Sequence, residues 1–138
     1  MRSMTEIFYI DSNIFIFPVI YENEKADASS KILNDIEKNE IIAYTSVLTW
    51  DEVAYVVNRV MGRADSINAG KKFINYPNLR FIPASIDIIV RAQEIIQNYN
   101  IKPRDAIHVA SALSKNIHNI VSDDSDFDKI DLIKRVKL

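Results

Sequence analysis

The sequence predicts an α/β fold, in which a central parallel sheet of about four to five strands is flanked by helices on both faces. Short apolar runs alternate with longer segments whose apolar residues recur every three or four positions, as expected for alternating strands and amphipathic helices. The 138 residues suit one domain, residues 1–138, with a substantial core. Only two glycines and four prolines argue against an all-β fold with many tight turns.

Five short runs are predicted to be strands. The first is apolar throughout and is closed by Asp11, which is typical of a parallel strand buried on both faces. The five runs are residues 7–10, 41–44, 79–82, 120–122 and 132–136.

The segments between these runs are predicted to be helical. A short helical turn is expected over residues 14–20, because Pro18 interrupts an apolar run there. Longer helices are expected over residues 24–39, 64–75 and 85–99, and from Pro103 onward.

The helix after the second strand has a clear apolar periodicity. Ser46 is predicted to be its N-cap and Gly62 its C-terminal stop. Spacings of three and four predict that its buried stripe consists of Trp50, Val53, Ala54, Val57, Val60 and Met61.

Charge and composition restrict the possible functions. The net charge is −2 and the pI about 5.7, so binding of nucleic acid would need a local basic rim or metal ions. The absence of cysteine excludes disulfides, zinc fingers and thiol catalysis. No apolar run is long enough to cross a membrane, and residues 1–4 lack the apolar stretch of a signal peptide. We therefore expect a cytoplasmic protein, with Met4 as a candidate natural start.

Acidic residues recur where predicted strands end and helices begin. Asp11 follows the first strand, Glu52 lies on the helix after the second, Asp105 opens the helix at Pro103, and residues 123–131 hold five aspartates. The carboxyl ends of parallel strands meet at one edge of a sheet, where ligands bind. Carboxylates gathered there repel one another unless a cation lies between them, so the pattern predicts a divalent-metal site and phosphate chemistry.

Each of these residues also has an ordinary structural explanation. Asp11 suits an N-cap, and Asp105 is favoured by the helix dipole in the first turn. Glu52 falls outside the apolar stripe, as a solvated helical glutamate would. His108 lies one turn after Asp105, and a structural role is the default expectation for it.

Four motifs, taken together and in order, resemble the PIN-domain family of metal-dependent ribonucleases, and especially its VapC-type toxins. Residues 10–13 resemble the D-[ST]-N element, and Ser46 with Glu52 resembles the S-x5-E helix start. Residues 104–112 resemble the D-A-x-x-A element and residues 122–127 the closing [TS]-x-D-x-D-F. The resemblance runs over nearly the whole chain and implies a single PIN-like domain.

The resemblance also implies the residues of an active site for RNA phosphodiester hydrolysis with one or two Mg²⁺ or Mn²⁺ ions. The implied catalytic quartet is Asp11, Glu52, Asp105 and Asp124, all of them metal ligands together with Asp126. The implied supporting residues are Ser12, Asn13 and Ser122, with Arg104 as a substrate contact.

Two questions about this site stay open at the level of sequence. In the expected arrangement Asp11, Asp105 and Asp124 hold the first metal, while Glu52 and Asp126 hold a second or orient water. The additional carboxylate of Asp123 leaves open which aspartate of the last loop is the main ligand, and Asp124 is the first choice.

The sequence also leads to expectations about partners and to alternative functions. The resemblance implies a homodimer and, for a toxin, a small antitoxin protein that obstructs the site. The alternatives are a non-catalytic PIN-fold module that binds RNA or protein, a structure-specific DNA nuclease, and a metal-dependent phosphatase. A phospho-acceptor switch is disfavoured, because no aspartate follows the third strand at residues 81–84. No stacking platform for bases is evident among the aromatic residues.

Overall fold

The computed structural model of the protein describes residues 5–138, so the candidate start at Met4 lies outside the described residues. The predicted α/β architecture is confirmed: strands and helices alternate around one parallel five-stranded sheet. The strands are β1 Ile7–Ile10, β2 Ile42–Ser46, β3 Leu79–Ile82, β4 Asn119–Val121 and β5 Lys134–Val136. The helices are α1 Ser12–Ile20, α2 Glu24–Glu37, α3 Thr49–Met61, α4 Arg63–Ile74, α5 Ile86–Asn98 and α6 Pro103–Ser114, and a 3₁₀ turn spans Ser125–Lys129. No helix in the described part is long and apolar enough to cross a membrane.

The strand order β3-β2-β1-β4-β5 places the first strand at the centre of the sheet. The chain builds outward from β1 through β2 to β3, and then returns to the other side of β1 to add β4 and β5. The reversal between β1 and β4 is the topological switch point, where the carboxyl ends of strands in open α/β sheets leave a crevice. Asp11, directly after β1, stands at this crevice.

Helices cover both faces of the sheet, as expected, and each face has its own hydrophobic core. Successive side chains of β1 alternate between the faces: Tyr9 belongs to one core and Ile10 to the other. The Tyr9 core includes apolar residues of α5 and α6, whereas the Ile10 core includes those of α1, α2, α3 and α4. Both residues are completely buried, which holds β1 firmly at the point where the site begins.

The start of α3 differs from the prediction. Ser46 is not the N-cap but the last residue of β2, paired with Ile82 of β3, because its backbone continues the parallel ladder. Its hydroxyl accepts a hydrogen bond from the backbone N–H of Leu48 at 3.1 Å, which shapes the turn before α3. Thr45 and Thr49 join their hydroxyls at 2.8 Å across this turn. The helix therefore begins three residues later than Ser46.

The predicted buried stripe of α3 is only partly correct. Val53 and Val57 are buried, whereas Trp50, Val60 and Met61 are about half exposed. The helix contacts α1 and α4 along a narrow strip, which covers the first pair but leaves the flanking residues at the surface. Trp50 instead packs against Gly70 of α4, where an added Cβ would lie 2.9 Å from its indole nitrogen.

Other predicted elements are confirmed, with bounds that differ by up to two residues. The exception is α1, which is a complete helix of nine residues rather than a short turn, with Pro18 inside it. Gly62 ends α3 with φ of 97°, a conformation that glycine adopts without strain.

Candidate metal and catalytic site

Asp11 is fixed at the end of β1 by hydrogen bonds from three residues. Its carboxylate accepts hydrogen bonds from the backbone N–H of Ser12 at 2.7 Å, the Ser122 hydroxyl at 2.6 Å and the Asn13 amide at 3.2 Å. It is also the N-cap of α1 and only 4% exposed. Asp11 therefore both caps α1 and belongs to the acidic site.

Ser122 connects the ends of β1 and β4. Besides donating to Asp11, its hydroxyl accepts hydrogen bonds from the backbone N–H of Asp124 at 2.9 Å and from the Asn13 amide at 3.3 Å. The hydroxyl is fully buried. One serine thus sets the position of the last acidic loop relative to Asp11.

Glu52 turns toward the crevice rather than toward solvent. Its carboxylate accepts a hydrogen bond from the Ser12 hydroxyl at 3.0 Å and lies 2.6 Å from Nε2 of His108. Only 17% of its side chain is exposed, whereas the neighbouring Asp51 keeps 60% exposed. The ordinary alternative of a solvated Glu52 therefore does not hold, because this position of α3 faces Ser12 and His108.

His108 is a member of the site that the sequence analysis assigned to a structural role. The ring is 1% exposed and lies between the inner residues of the site: Nδ1 is 2.6 Å from the Tyr9 hydroxyl, and Nε2 faces Glu52 and Asp11. One signal for this was present, since His108 lies three positions after Asp105 and so on the same helix face. We call Asp11, Glu52 and His108 the inner cluster.

A second group of carboxylates lies beside the inner cluster and consists of Asp105, Asp124 and Asp126. One oxygen from each lies within 4.8 Å of the others, and we call this group the rim cluster. The chain brings Asp105 from the first turn of α6 and the other two from the loop after β4. Asp123 turns away and forms an ion pair with Lys25 at 2.8 Å.

The two clusters differ in their electrostatics. Burial raises the pKa of Asp105 to about 7, with help from the charges of Asp124 and Asp11. Burial also raises the pKa of Asp11 above its ordinary value, although His108 and the Ser122 hydroxyl oppose this. Burial alone would raise the pKa of Glu52, but the hydrogen bond from His108, the charge of that ring, the Ser12 hydroxyl and Arg104 together outweigh burial and lower that pKa.

Opposing effects also act on His108. Burial alone would lower its pKa, but the contacts with Tyr9 and with the Glu52 and Asp11 carboxylates raise it well above the ordinary value.

The rim cluster has the chemistry of a divalent-cation site. Its donors are all carboxylate oxygens, which hard cations such as Mg²⁺ and Mn²⁺ prefer. Oδ2 of Asp105 is buried and has no hydrogen-bond partner among residues 5–138, an arrangement that is costly unless a ligand satisfies the atom. Glu52, Asp105 and Asp124 also line one open cavity of about 500 Å³. The residues present therefore fit a bound metal ion.

The whole arrangement matches one protein family. Residues 8–133 match the family model described as the PIN domain. The chain belongs to the PIN-domain family. The match covers nearly all of β1, the whole of β2, β3 and β4, and both clusters, and it ends just before β5. The resemblance inferred from the motifs is therefore confirmed at the level of the family.

Relatives of this PIN domain include two proteins of Methanocaldococcus jannaschii. Ribonuclease VapC2 is 21% identical over 94% of this chain and 93% of its own length. Ribonuclease VapC6 is 32% identical, but the match covers only 48% of this chain and 43% of that protein. Among solved structures, a toxin–antitoxin complex from Klebsiella pneumoniae shares the fold, with a TM-score of 0.64 and 21% identity over 94% of this chain and 96% of that one.

Arg104 lies at the mouth of the PIN-domain crevice. Its side chain is 56% exposed, reaches Asp51 at 3.5 Å and stands 6.0 Å from the centre of the Tyr55 ring. Arg59 stands 5.8 Å from the same ring, which is itself about half exposed. An exposed aromatic ring with two guanidinium groups therefore borders the site, a feature that the sequence analysis did not find.

Proposed function

We propose that this PIN domain is a metal-dependent endoribonuclease that hydrolyses RNA phosphodiester bonds and acts as the toxin of a type II toxin–antitoxin system. The observation that carries the proposal is the rim cluster, where three carboxylates converge and one buried oxygen of Asp105 has no hydrogen-bond partner among residues 5–138. The curated relatives of this chain are named as ribonucleases, which supports RNA as the substrate.

The rim cluster would hold the cation, Mg²⁺ or Mn²⁺. When bound there, such an ion supplies Lewis acidity, which offsets the charge of a phosphodiester and eases the loss of a proton from water. Asp105, Asp124 and Asp126 provide the ligand oxygens, while Asp11 shapes the crevice behind them from its fixed position. This arrangement favours Asp124 over Asp123 as a ligand, because Asp124 lies in the rim cluster whereas Asp123 lies outside it and pairs with Lys25. Asp126 also lies in the rim cluster, although one of its oxygens pairs with Lys129 at 3.2 Å.

Glu52 is placed to orient the attacking water. Its lowered pKa keeps the carboxylate ionised at neutral pH, and it lines the same cavity as Asp105 and Asp124. An ionised carboxylate accepts hydrogen bonds only, so it can align a water molecule and accept its proton. In this assignment Glu52 acts on water rather than as the ligand of a second metal.

The rim of the crevice provides positive charge for the RNA backbone. Lys102 and Arg104 line the cavity that contains Glu52, Asp105 and Asp124. Phosphate contacts of this kind position a nucleic acid without reading its sequence. Since the net charge of the protein is −2, binding depends on these local cations and on the metal.

The proposal is tested by incubating end-labelled single-stranded and structured RNAs with purified protein in Mg²⁺, in Mn²⁺ and in EDTA. We expect cleavage only with metal and loss of cleavage in Asp105→Asn. Asp87→Asn is the matched control, because Asp87 also lies in the first turn of a helix but outside the site, and it should cleave normally. Arg104→Ala should raise KM more than it lowers kcat.

Two outcomes would contradict the ribonuclease assignment. Metal binding without cleavage of any RNA would favour a non-catalytic binding module. Preferential cleavage of flap or single-stranded DNA in the same assay would favour a DNA nuclease.

We further propose a homodimer that binds a small antitoxin. The structural relative from Klebsiella pneumoniae is a toxin–antitoxin complex, and this chain exposes large apolar side chains on α3, α4 and α5. Exposed apolar patches of this kind often mark protein–protein interfaces. Light scattering should give twice the chain mass of 15.8 kDa, and a monomer at micromolar concentration would contradict the dimer.

A further inference from the structure

A chain of buried hydrogen bonds runs from Ser46 at the end of β2 through Tyr9 and His108 to Glu52 of the inner cluster. The backbone N–H of Ser46 donates to the Tyr9 hydroxyl at 3.1 Å, and that hydroxyl lies 2.6 Å from Nδ1 of His108. On the other side of the ring, Nε2 lies 2.6 Å from the Glu52 carboxylate and 3.3 Å from that of Asp11. Tyr9 and His108 are at most 1% exposed, so water does not complete these bonds.

The Tyr9 hydroxyl decides how the protons are arranged. It already accepts the Ser46 N–H, and among residues 5–138 its own hydrogen has no acceptor other than Nδ1 of His108. If Nδ1 carried the proton of a neutral ring, the hydroxyl hydrogen would be buried without a partner, which is unfavourable. In a neutral ring the satisfied arrangement therefore has Tyr9 donating to Nδ1 and Nε2–H donating to Glu52.

We propose that His108 is a positioning residue whose Nε2–H holds Glu52 beside Asp11, and that it is not a metal ligand. The inference rests on the proposed function, because it concerns the residue that orients water there. A metal ligand would need a free lone pair on Nε2, which the Tyr9 bond and the Glu52 carboxylate both disfavour. A doubly protonated ring would also donate from Nε2, so the role does not depend on the charge of His108.

This placement has a consequence for the number of metal ions. Asp11, Glu52 and His108 are close enough to form a second metal site, with ligand atoms within 4.8 Å of one another. The Nε2–H group, however, occupies the space between the two carboxylates and offsets their repulsion. The protein should therefore bind one Mn²⁺ per chain, in the rim cluster.

The Nε2 proton can be observed directly by ¹⁵N–¹H NMR. The chain has only two histidines, and the exposed His118 provides the internal reference. In the metal-free protein and with saturating Mg²⁺, the Nε2 nitrogen of His108 should remain protonated and its long-range couplings should keep their pattern. Loss of that proton on addition of Mg²⁺, or a ring protonated only on Nδ1, would overturn the proposal.

Substitutions separate positioning from ligation by an independent route. His108→Gln keeps an N–H donor near the position of Nε2, whereas His108→Leu has none. Loss of an outer contact of this kind typically costs about 10–100-fold, so His108→Leu should lose that much in kcat, with KM little changed. His108→Gln should recover most of the loss, and His118→Gln should behave as the unmodified protein.

Calorimetric titration with Mn²⁺ completes the test and does not depend on cleavage. The unmodified protein and His108→Gln should each bind one equivalent with similar affinity. Two equivalents in the unmodified protein and one in His108→Gln would overturn the proposal. If no RNA is cleaved, the proposed function fails, while the NMR and Mn²⁺ results still decide the role of His108.

Discussion

The inner and rim clusters lie side by side and both contain carboxylates, but they differ in how completely their oxygens are satisfied. In the inner cluster, Asp11 accepts hydrogen bonds from Ser12, Asn13 and Ser122, and Glu52 accepts them from Ser12 and His108. In the rim cluster, Oδ2 of Asp105 is buried with no partner among the described residues. Asp126 pairs with Lys129 and Asp124 accepts the backbone N–H of Asp126, so the contrast rests on Asp105. The protein thus satisfies the inner carboxylates with its own donors and leaves the buried oxygen of Asp105 to a cation.

The difference follows from the position of each cluster in the fold. The inner cluster is built on β1, the centre of the sheet, and on helix positions packed against both cores. The rim cluster joins the first turn of α6 to the segment after β4, where Asp124 and Asp126 are only partly buried. A rigid, self-satisfied group orients reactants well, whereas an acidic group with an unsatisfied oxygen binds a metal well. The crevice combines the two.

The largest expected effect is on activity, and it distinguishes Asp124 from its neighbour Asp123. Asp124→Asn removes a ligand oxygen from the rim cluster and should lower kcat at least about 100-fold, because the cation then loses one of three carboxylates. Asp123→Asn is the matched control in the same loop, since its carboxylate pairs with Lys25. It should retain at least about half of the activity, because an exposed ion pair contributes little.

Kinetics with both variants in a range of Mn²⁺ concentrations provide the measurement. Activity of Asp124→Asn should recover partly at high Mn²⁺, whereas Asp123→Asn should show the same metal dependence as the unmodified protein. Equal losses in the two variants would mean that the loop contributes charge rather than a specific ligand, and the distinction between Asp123 and Asp124 would be lost.

Much of the rim cluster could be predicted from sequence, because its residues are placed by local structure. Pro103 sets the start of α6, and Asp105 then falls in the first turn whatever the rest of the chain does. Asp124 and Asp126 follow a short apolar strand directly, so the carboxyl edge of the sheet is their expected location. The pairing of Asp123 with Lys25 depends on how α2 packs, which no local pattern encodes.

The inner cluster was harder to predict, because it depends on long-range packing. Whether Glu52 or Asp51 faces the crevice is decided by the rotation of α3 against α1 and α4. The apolar stripe predicted from the sequence was wider than the face of α3 that is buried, so it did not indicate this rotation. The contact between Tyr9 and His108 joins residues 99 positions apart. A tyrosine in a buried strand has no sequence signal for a polar contact, so only the structure shows it.

The smaller effect is on the free energy of unfolding, and its dependence on pH tests the rim cluster through Asp105. Asp105 has a folded-state pKa of about 7 against an ordinary value of 3.8, so its contribution to stability is complete below about pH 4 and is lost as the pH rises through 7. Asn does not ionise. In EDTA at about pH 8, Asp105→Asn should therefore have a higher free energy of unfolding, and so be more stable, than the unmodified protein. One pKa unit corresponds to about 1.4 kcal/mol, and solvent screens part of this at the rim, so we expect a gain of about 1–2 kcal/mol.

Chemical denaturation at about pH 4 and pH 8, with and without Mg²⁺, provides the measurement. The gain should disappear at the lower pH, where Asp105 is protonated in the folded protein. With saturating Mg²⁺ at the higher pH the order should reverse, because the unmodified protein gains binding energy that the variant lacks. Asp87→Asn should show neither the gain nor the reversal. A gain that is the same at both pH values would mean that the substitution acts through packing, and would remove the argument that the rim cluster is strained without its cation.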